Sequence, residues 1–205
     1  MIDEIVSIFL QILVFTLIPF LVYLIQNRSV QGFLNYVGLK KSVNKANYLA
    51  GLVSLLMTLP ILFLVLMNPD FKEIMTDPNS LTGRFRQMGF GMTSILTLVL
   101  VAVFKTALAE EILFRGFIAK RLISVTNYQT GNIIQAVIFG AIHSALFMTI
   151  TNNILFLTMI FLFPAAGSYL MVYLNEKSAD GCIIPGWIAH GLANLISYSV
   201  IGFLI

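Results

Sequence analysis

The sequence predicts an all-α fold, a polytopic membrane helix bundle of about six transmembrane helices. Three observations predict it. Of 205 residues, 59% are hydrophobic and only 10% charged, where a soluble domain carries roughly a quarter charged residues. The mean hydropathy is +0.94. The apolar residues also gather into six runs, each close to the roughly 20 residues that a helix needs to cross a hydrocarbon core of about 30 Å.

The first run is Ile5–Gln26. Its leader, MIDEIVSIFLQILVF, is acidic and has no small-residue cleavage site, so it reads as a retained span rather than a removed signal peptide. The second is Tyr48–Met67 and the third Gly91–Glu110, with a helical continuation to about Leu122. The fourth is Asn132–Ile150. The fifth, Ile154–Leu174, contains Pro164 and is expected to kink or start late. The sixth is Ile183–Ile205. In the first connection, SVQGFLNYVGL fits a short interfacial helix or a loop equally well. The single cysteine, Cys182, allows no intramolecular disulfide and no cysteine metal cluster. It reads as a small apolar residue near a helix start.

Charge sets the expected orientation. The net charge of +3 is small, and no basic stripe lies on a soluble element. The basic residues therefore read as topology signals, with no nucleic acid as partner. Setting the first, third and fifth connections in the cytoplasm gathers seven Lys and Arg there against three outside, which puts both termini outside.

Within this apolar chain a few polar residues stand at membrane depth. Each costs about 2.5–3.5 kcal/mol on insertion scales, and such residues usually mark function. Lys105, Glu110, Glu111 and Arg115 lie in or just past the third run, His143 in the fourth, and His190 and Asn194 in the sixth; the two histidines are the only ones in the chain. At α-helical spacing Glu111 and Arg115 lie about 40° apart and can pair, while Glu110 and Arg115 are about 140° apart. Glu110 is then the carboxylate that needs another partner. Lys120 and Arg121 set this helix end near the cytoplasmic headgroups. Phe139 and His143 share a face, as do His190 and Asn194.

Each group has a plain structural reading. Glu and Arg at a helix end meet water, a lone His hydrogen-bonds in a core, and His and Asn bind helices together. Taken together they form a kit for hydrolysis if the third, fourth and sixth helices enclose one intramembrane site. A carboxylate and a His hold and deprotonate water, and a His and an Asn donate to an oxyanion. Zinc held by Glu110, His143 and His190, with an open position for water, is the alternative.

The motifs EEILFR (Glu110–Arg115), FGAIH (Phe139–His143) and HGLAN (His190–Asn194), in this order on separate helices, resemble the CAAX-protease and bacteriocin-processing family. These intramembrane proteases are also called the Abi family or type II CAAX prenyl endopeptidases. The run AAGSYLMVYLNEKSADGCIIPGWIAHGLAN into the last motif is similar too. The resemblance covers about Ala102–Ile205. It divides one compact membrane domain into N-terminal spans and loops (1–90) and a catalytic helical core (91–205).

The resemblance implies that Glu110 and His143 activate water and that His190 and Asn194 stabilise the oxyanion. It implies that Glu111, Arg115 and Phe139 support them. Members are described both as metalloproteases and as metal-free glutamate proteases, and the reading favoured here is metal-free. The implied partners are the lipid bilayer and a membrane-embedded or membrane-associated peptide or protein. The implied setting is a bacterial cell membrane, with the site nearer the cytoplasmic leaflet and a role in peptide processing or bacteriocin self-immunity. Two rival classes are a non-catalytic immunity or binding protein of the same fold and a transporter with a Glu/His proton relay. A transporter leads one to expect an inverted repeat or broken helices, and neither is visible.

Overall fold

The computed structural model describes residues 2–205. All secondary structure among them is helical. Six helices are long and apolar enough to cross a membrane: α1 (Ile2–Asn27), α3 (Asn44–Met67), α6 (Met92–Val125), α7 (Tyr128–Phe147), α8 (Ile154–Ser178) and α9 (Ile184–Leu204). Three short helices complete the chain: α2 (Phe33–Tyr36), α4 (Pro69–Met75) and α5 (Leu81–Met88).

Local chemistry sets several boundaries. Asn127 accepts from the Thr130 amide at 3.0 Å, so α7 starts at Tyr128, earlier than hydropathy alone suggests. Asn153 caps α8 through the Phe156 amide at 3.0 Å. Pro164 lies inside α8 without ending it. The second connection is not a plain loop. Asn68 caps α4 and is followed by Pro69 at its first position, and Ser80 caps α5 through the Gly83 amide. SVQGFLNYVGL folds in part as α2.

The bundle is centred on α9, which packs against α3 on one side and α6 on the other, while α7 and α8 form an antiparallel pair. With lipid outside, helix association relies on close packing and interhelical hydrogen bonds rather than on hydrophobic burial. Both devices join α7 to α8. A Cβ built on Gly140 would lie 2.4 Å from the Phe161 carbonyl oxygen and 2.9 Å from the Ala165 Cβ. Ser144 Oγ donates to the Leu157 carbonyl at 3.1 Å. A fully buried chain runs from Ser168 Oγ to Gln135 Oε1 (2.7 Å) and from Gln135 Nε2 to Asn132 Oδ1 (2.8 Å).

One end of the bundle is stitched by the first and fifth connections. The Ile183 amide donates to the Gly38 carbonyl at 2.9 Å. A Cβ on Gly38, itself at φ +81°, would lie 2.4 Å from the Gly181 carbonyl oxygen. Lys120 on α6 meets Glu176 at 2.6 Å and the Gly181 carbonyl at 2.8 Å. Cys182, fully buried, donates its thiol to the Lys40 carbonyl. At the other end, α4 and α5 lie over the bundle. Phe71 packs against Phe156, and Phe85 lies between Tyr198 and Phe203.

Gly140→Val is expected to force α7 and α8 apart and cost about 1–3 kcal/mol. Thermal unfolding in detergent measures this, with Leu155→Ala on the exposed face of α8 as an unchanged control.

Candidate active site

The site is built on α6, and α6 is not a plain α-helix. Leu100–Leu108 and Glu111–Ala119 are π-helical, leaving Ala109 and Glu110 as a short α interval between two wide stretches. A π turn closes on i→i+5 and gathers at functional sites. The amides that close the first stretch accordingly reach the carbonyls of Phe104, five residues before Ala109, and of Thr106. Angles drawn at 3.6 residues per turn, such as the Glu110–Arg115 separation expected above, do not hold through this segment.

Beside Glu110 lies a closed ion pair. Glu111 and Arg115 are fully buried, with Arg115 Nε 3.2 Å from Glu111 Oε1. Their angle falls outside hydrogen-bond geometry, and Arg115 Nη1 has no hydrogen-bond partner. The guanidinium is held otherwise. It lies over the Phe139 ring, 4.1 Å from its centroid, and Nη2 touches Met171 Sδ at 3.8 Å. Glu111 takes two further neighbours. Asn175 Nδ2 donates to Oε2 at 3.5 Å, and His190 Nδ1 faces Oε1 at 3.3 Å. Asn175 in turn accepts the Gly186 amide at 2.8 Å. A Cβ on Gly186 would stand 2.5 Å from Glu111 Oε2 and 2.6 Å from Asn175 Nδ2, so this approach of α9 needs glycine.

His190 therefore stands between two glutamates. Its Nδ1 faces Glu111, and its Nε2 is 3.7 Å from Glu110 Oε2. A carboxylate only accepts, so the hydrogen bond to Glu111 requires the proton on Nδ1. Nε2 then meets Glu110 either as a lone pair against a carboxyl or as an N–H against a carboxylate. Glu110 Oε2 is buried and has no hydrogen-bond partner.

His143 is oriented by its own helix. Its Nδ1 lies 2.9 Å from the Phe139 carbonyl. A carbonyl also only accepts, so Nδ1 carries the proton and Nε2 keeps a free lone pair. Phe139 acts as the spacer of the site. Its ring lies 4.4 Å from that of His143, 6.0 Å from that of His190 and 5.0 Å from that of Phe114. Asn194 Nδ2 donates to Thr106 Oγ1 at 2.8 Å and to the Ala102 carbonyl at 3.4 Å.

These residues open into one cavity of about 450 Å³, whose wall includes Glu110, Phe139, His143, His190 and Asn194. The cavity runs to Asn79–Thr82 and to Thr149 and Ile150, the end of the bundle opposite the stitched connections. Met57, Ile61, Phe147 and Phe163 give it an apolar side, and Thr58, Thr106, Ser197 and Tyr198 a polar one. The four residues singled out as catalytic from the sequence thus share one space, while Glu111 and Arg115 lie behind it. Asn175 and Thr106 were not expected. Thr106 is a polar residue within an apolar run, the same signal that marked His143, whereas Asn175 follows directly on one and opens a charged connection. No group of three or more His, Cys, Asp or Glu side chains among the described residues is arranged to hold a metal ion.

Removing one partner of the closed pair leaves the other charge uncompensated. Arg115→Met is expected to cost about 3–5 kcal/mol, and Glu111→Gln with Arg115→Met less than Arg115→Met alone. Melting temperatures in detergent decide this; equal losses would show that the pair does not balance its own burial.

No curated protein and no solved structure matches the chain. A family model does, over residues 92–196, just over half the chain and the stretch that carries all three motifs. With six helices long and apolar enough to cross a membrane, five of them lining the cavity that gathers those motifs, the chain belongs to the type II CAAX prenyl endopeptidase Rce1-like family.

Proposed function

We propose that this protein is an intramembrane endopeptidase that hydrolyses a peptide bond of a membrane-associated protein or peptide, using water activated by Glu110 and His143. The observation that carries the reading is the cavity onto which Glu110, His143, His190 and Asn194 open together.

The chemistry follows from the hydrogen-bond roles. The free lone pair on His143 Nε2 and the unpartnered Glu110 carboxylate hold a water between them. Glu110 takes its proton as the oxygen attacks the scissile carbonyl. Charge develops on the carbonyl oxygen. In imidazolium form, His190 donates its Nε2–H to that oxygen while Nδ1–H stays on Glu111. Asn194 supplies a second donor, the N–H now on its long 3.4 Å contact with Ala102. The intermediate collapses as Glu110 passes its proton to the leaving amine. Phe139 and the Glu111–Arg115 pair hold the imidazoles in position and do not touch the reacting atoms.

The low-dielectric wall makes each of these interactions stronger than it would be in water. The apolar side of the cavity suits a peptide flanked by apolar groups, in keeping with a membrane-associated substrate. Peptide processing or self-immunity at a bacterial cell membrane is the role we assign, and it rests on the family resemblance alone.

Purified protein in detergent or vesicles is expected to cleave membrane peptides. Glu110→Gln and His143→Ala should each lower kcat about 10²–10⁴-fold without removing the protein from the membrane. A strong chelator should leave the rate unchanged. Wild-type turnover by Glu110→Gln would sink the assignment of Glu110, protection that survives Glu110→Gln without any cleavage would instead support a non-catalytic binding or immunity protein of the same fold, and loss of turnover on chelation would return a metal to the mechanism.

A further inference from the structure

Helix α1 lies on the outside of the bundle, outside the matched stretch 92–196, with residues such as Phe9 two-thirds exposed. An outer helix in lipid needs little polarity, yet α1 directs Glu4 and Gln11 inward. These residues are seven apart and so share a face. Both reach the same residue of α6. Glu4 Oε1 pairs with Lys105 Nζ at 2.7 Å, and Gln11 Nε2 donates to the Lys105 carbonyl at 2.9 Å.

Lys105 lies inside the first π-helical stretch, Leu100–Leu108. The amides that close this stretch bond to the carbonyls of Phe104 and Thr106 and pass over that of Lys105. Gln11 gives that carbonyl a donor from another helix. A wide turn whose ladder skips an acceptor is costly in an apolar setting, because an unsatisfied backbone group has no water to turn to. The external donor offsets that cost. The neighbouring carbonyls are served from outside in the same way. Trp187 Nε1 donates to Val103 at 2.7 Å and Asn194 Nδ2 to Ala102 at 3.4 Å. Lys105 precedes Thr106, which accepts from Asn194 at 2.8 Å, and the stretch ends two residues before Glu110. Glu4 also holds Arg84 of α5 at 3.2 Å, so one carboxylate joins α1, α6 and the short helices over the cavity.

We infer that α1 is a positioning element of the catalytic site, with Gln11 and Glu4 as positioning residues that hold the π-helical winding of α6 and thereby the settings of Thr106, Asn194 and Glu110. This rests on the reading of Glu110 as the group that activates water. Neither residue touches substrate. A merely structural role would lower the amount of folded protein. A positioning role lowers turnover by the molecules that do fold.

Two measurements test this. In hydrogen–deuterium exchange on detergent-solubilised protein, Gln11→Leu is expected to speed exchange of the Lys105–Glu110 amides about tenfold over the other helices. The second measurement is cleavage of a quenched fluorescent transmembrane peptide that the wild type turns over. Gln11→Leu should lower kcat per folded molecule about tenfold with KM within about twofold, as expected of a small misplacement of reacting groups. Gln11→His, which keeps an N–H, should recover part of the loss, and exposed Phe9→Ala should change nothing. Gln11→Leu combined with Thr106→Val should lose little more than the worse single variant, because both act on one segment. Glu4→Gln reads the same effects should Gln11→Leu fail to fold. Unchanged exchange and unchanged kcat in the variants at both positions would overturn the inference. An inactive Glu110→Gln beside a fully active Gln11→Leu removes the role of α1 alone, whereas an active Glu110→Gln removes the reading of Glu110 as the group that activates water.

Discussion

Two opposite charges, Glu111 and Arg115, are closed away from water and lipid alike, and the rest of the site is arranged around the need to keep them so. Neither alone could stay charged in this interior, since the penalty for an isolated buried ion is several kcal/mol. The pair is not satisfied by hydrogen bonds to each other. It is completed by a ring face, a thioether, an amide and an imidazole drawn from α7, α8 and α9. Each partner is thereby fixed against α6. Phe139, pinned by the guanidinium, spaces the two histidines, and His190, pinned by Glu111, turns its other nitrogen to Glu110. The absence of a side chain at Gly186 lets α9 come near enough for this to happen.

The division of labour between the adjacent glutamates is therefore physical. Glu111 is fully buried among donors and does not border the cavity. Glu110 borders the cavity, with Oε2 unpartnered and a histidine nitrogen at 3.7 Å. Two identical side chains, one residue apart, differ in this way, one enclosed and one facing the cavity, because the helix directs them into different surroundings. The same holds for the histidines. His143 takes its orientation from a backbone carbonyl one turn earlier, and His190 from a carboxylate on another helix.

Much of this was legible in the chain itself. Six spans follow from hydropathy because lipid tolerates few other patterns. The site residues stand out because polar groups are rare there, so Glu110, His143 and His190 are conspicuous in a way that they would not be in a soluble protein. The Glu111–Arg115 contact follows from a spacing of four. What was not legible depends on winding and on tertiary partners. The angles assumed a regular α-helix, and nothing in LVAVFKTAL announces a wider turn, because that turn is sustained by donors from α1 and α9. The short helices α4 and α5 were hidden in a polar connection whose capping residues, Asn68 and Ser80, were visible but not read as caps. Asn175 stands where an apolar run gives way to a charged connection, and only the fold brings it under Glu111.

The wide winding of α6 has a consequence for how this chain tolerates changes in length. A π turn holds one more residue than an α turn, so the helix stores extra chain within its own wall rather than in a loop. Losing one residue from a surface loop usually shortens the loop and leaves its neighbours in place. Losing one between Leu100 and Leu108 is taken up largely by tightening toward ordinary winding, whereas losing one from the regular turns of Met92–Val99 turns everything beyond it by about 100°. The whole second half of α6, with Glu110 and Glu111, would then face other neighbours. In this protein the number of residues ahead of Glu110 is itself part of what brings its carboxylate to the cavity.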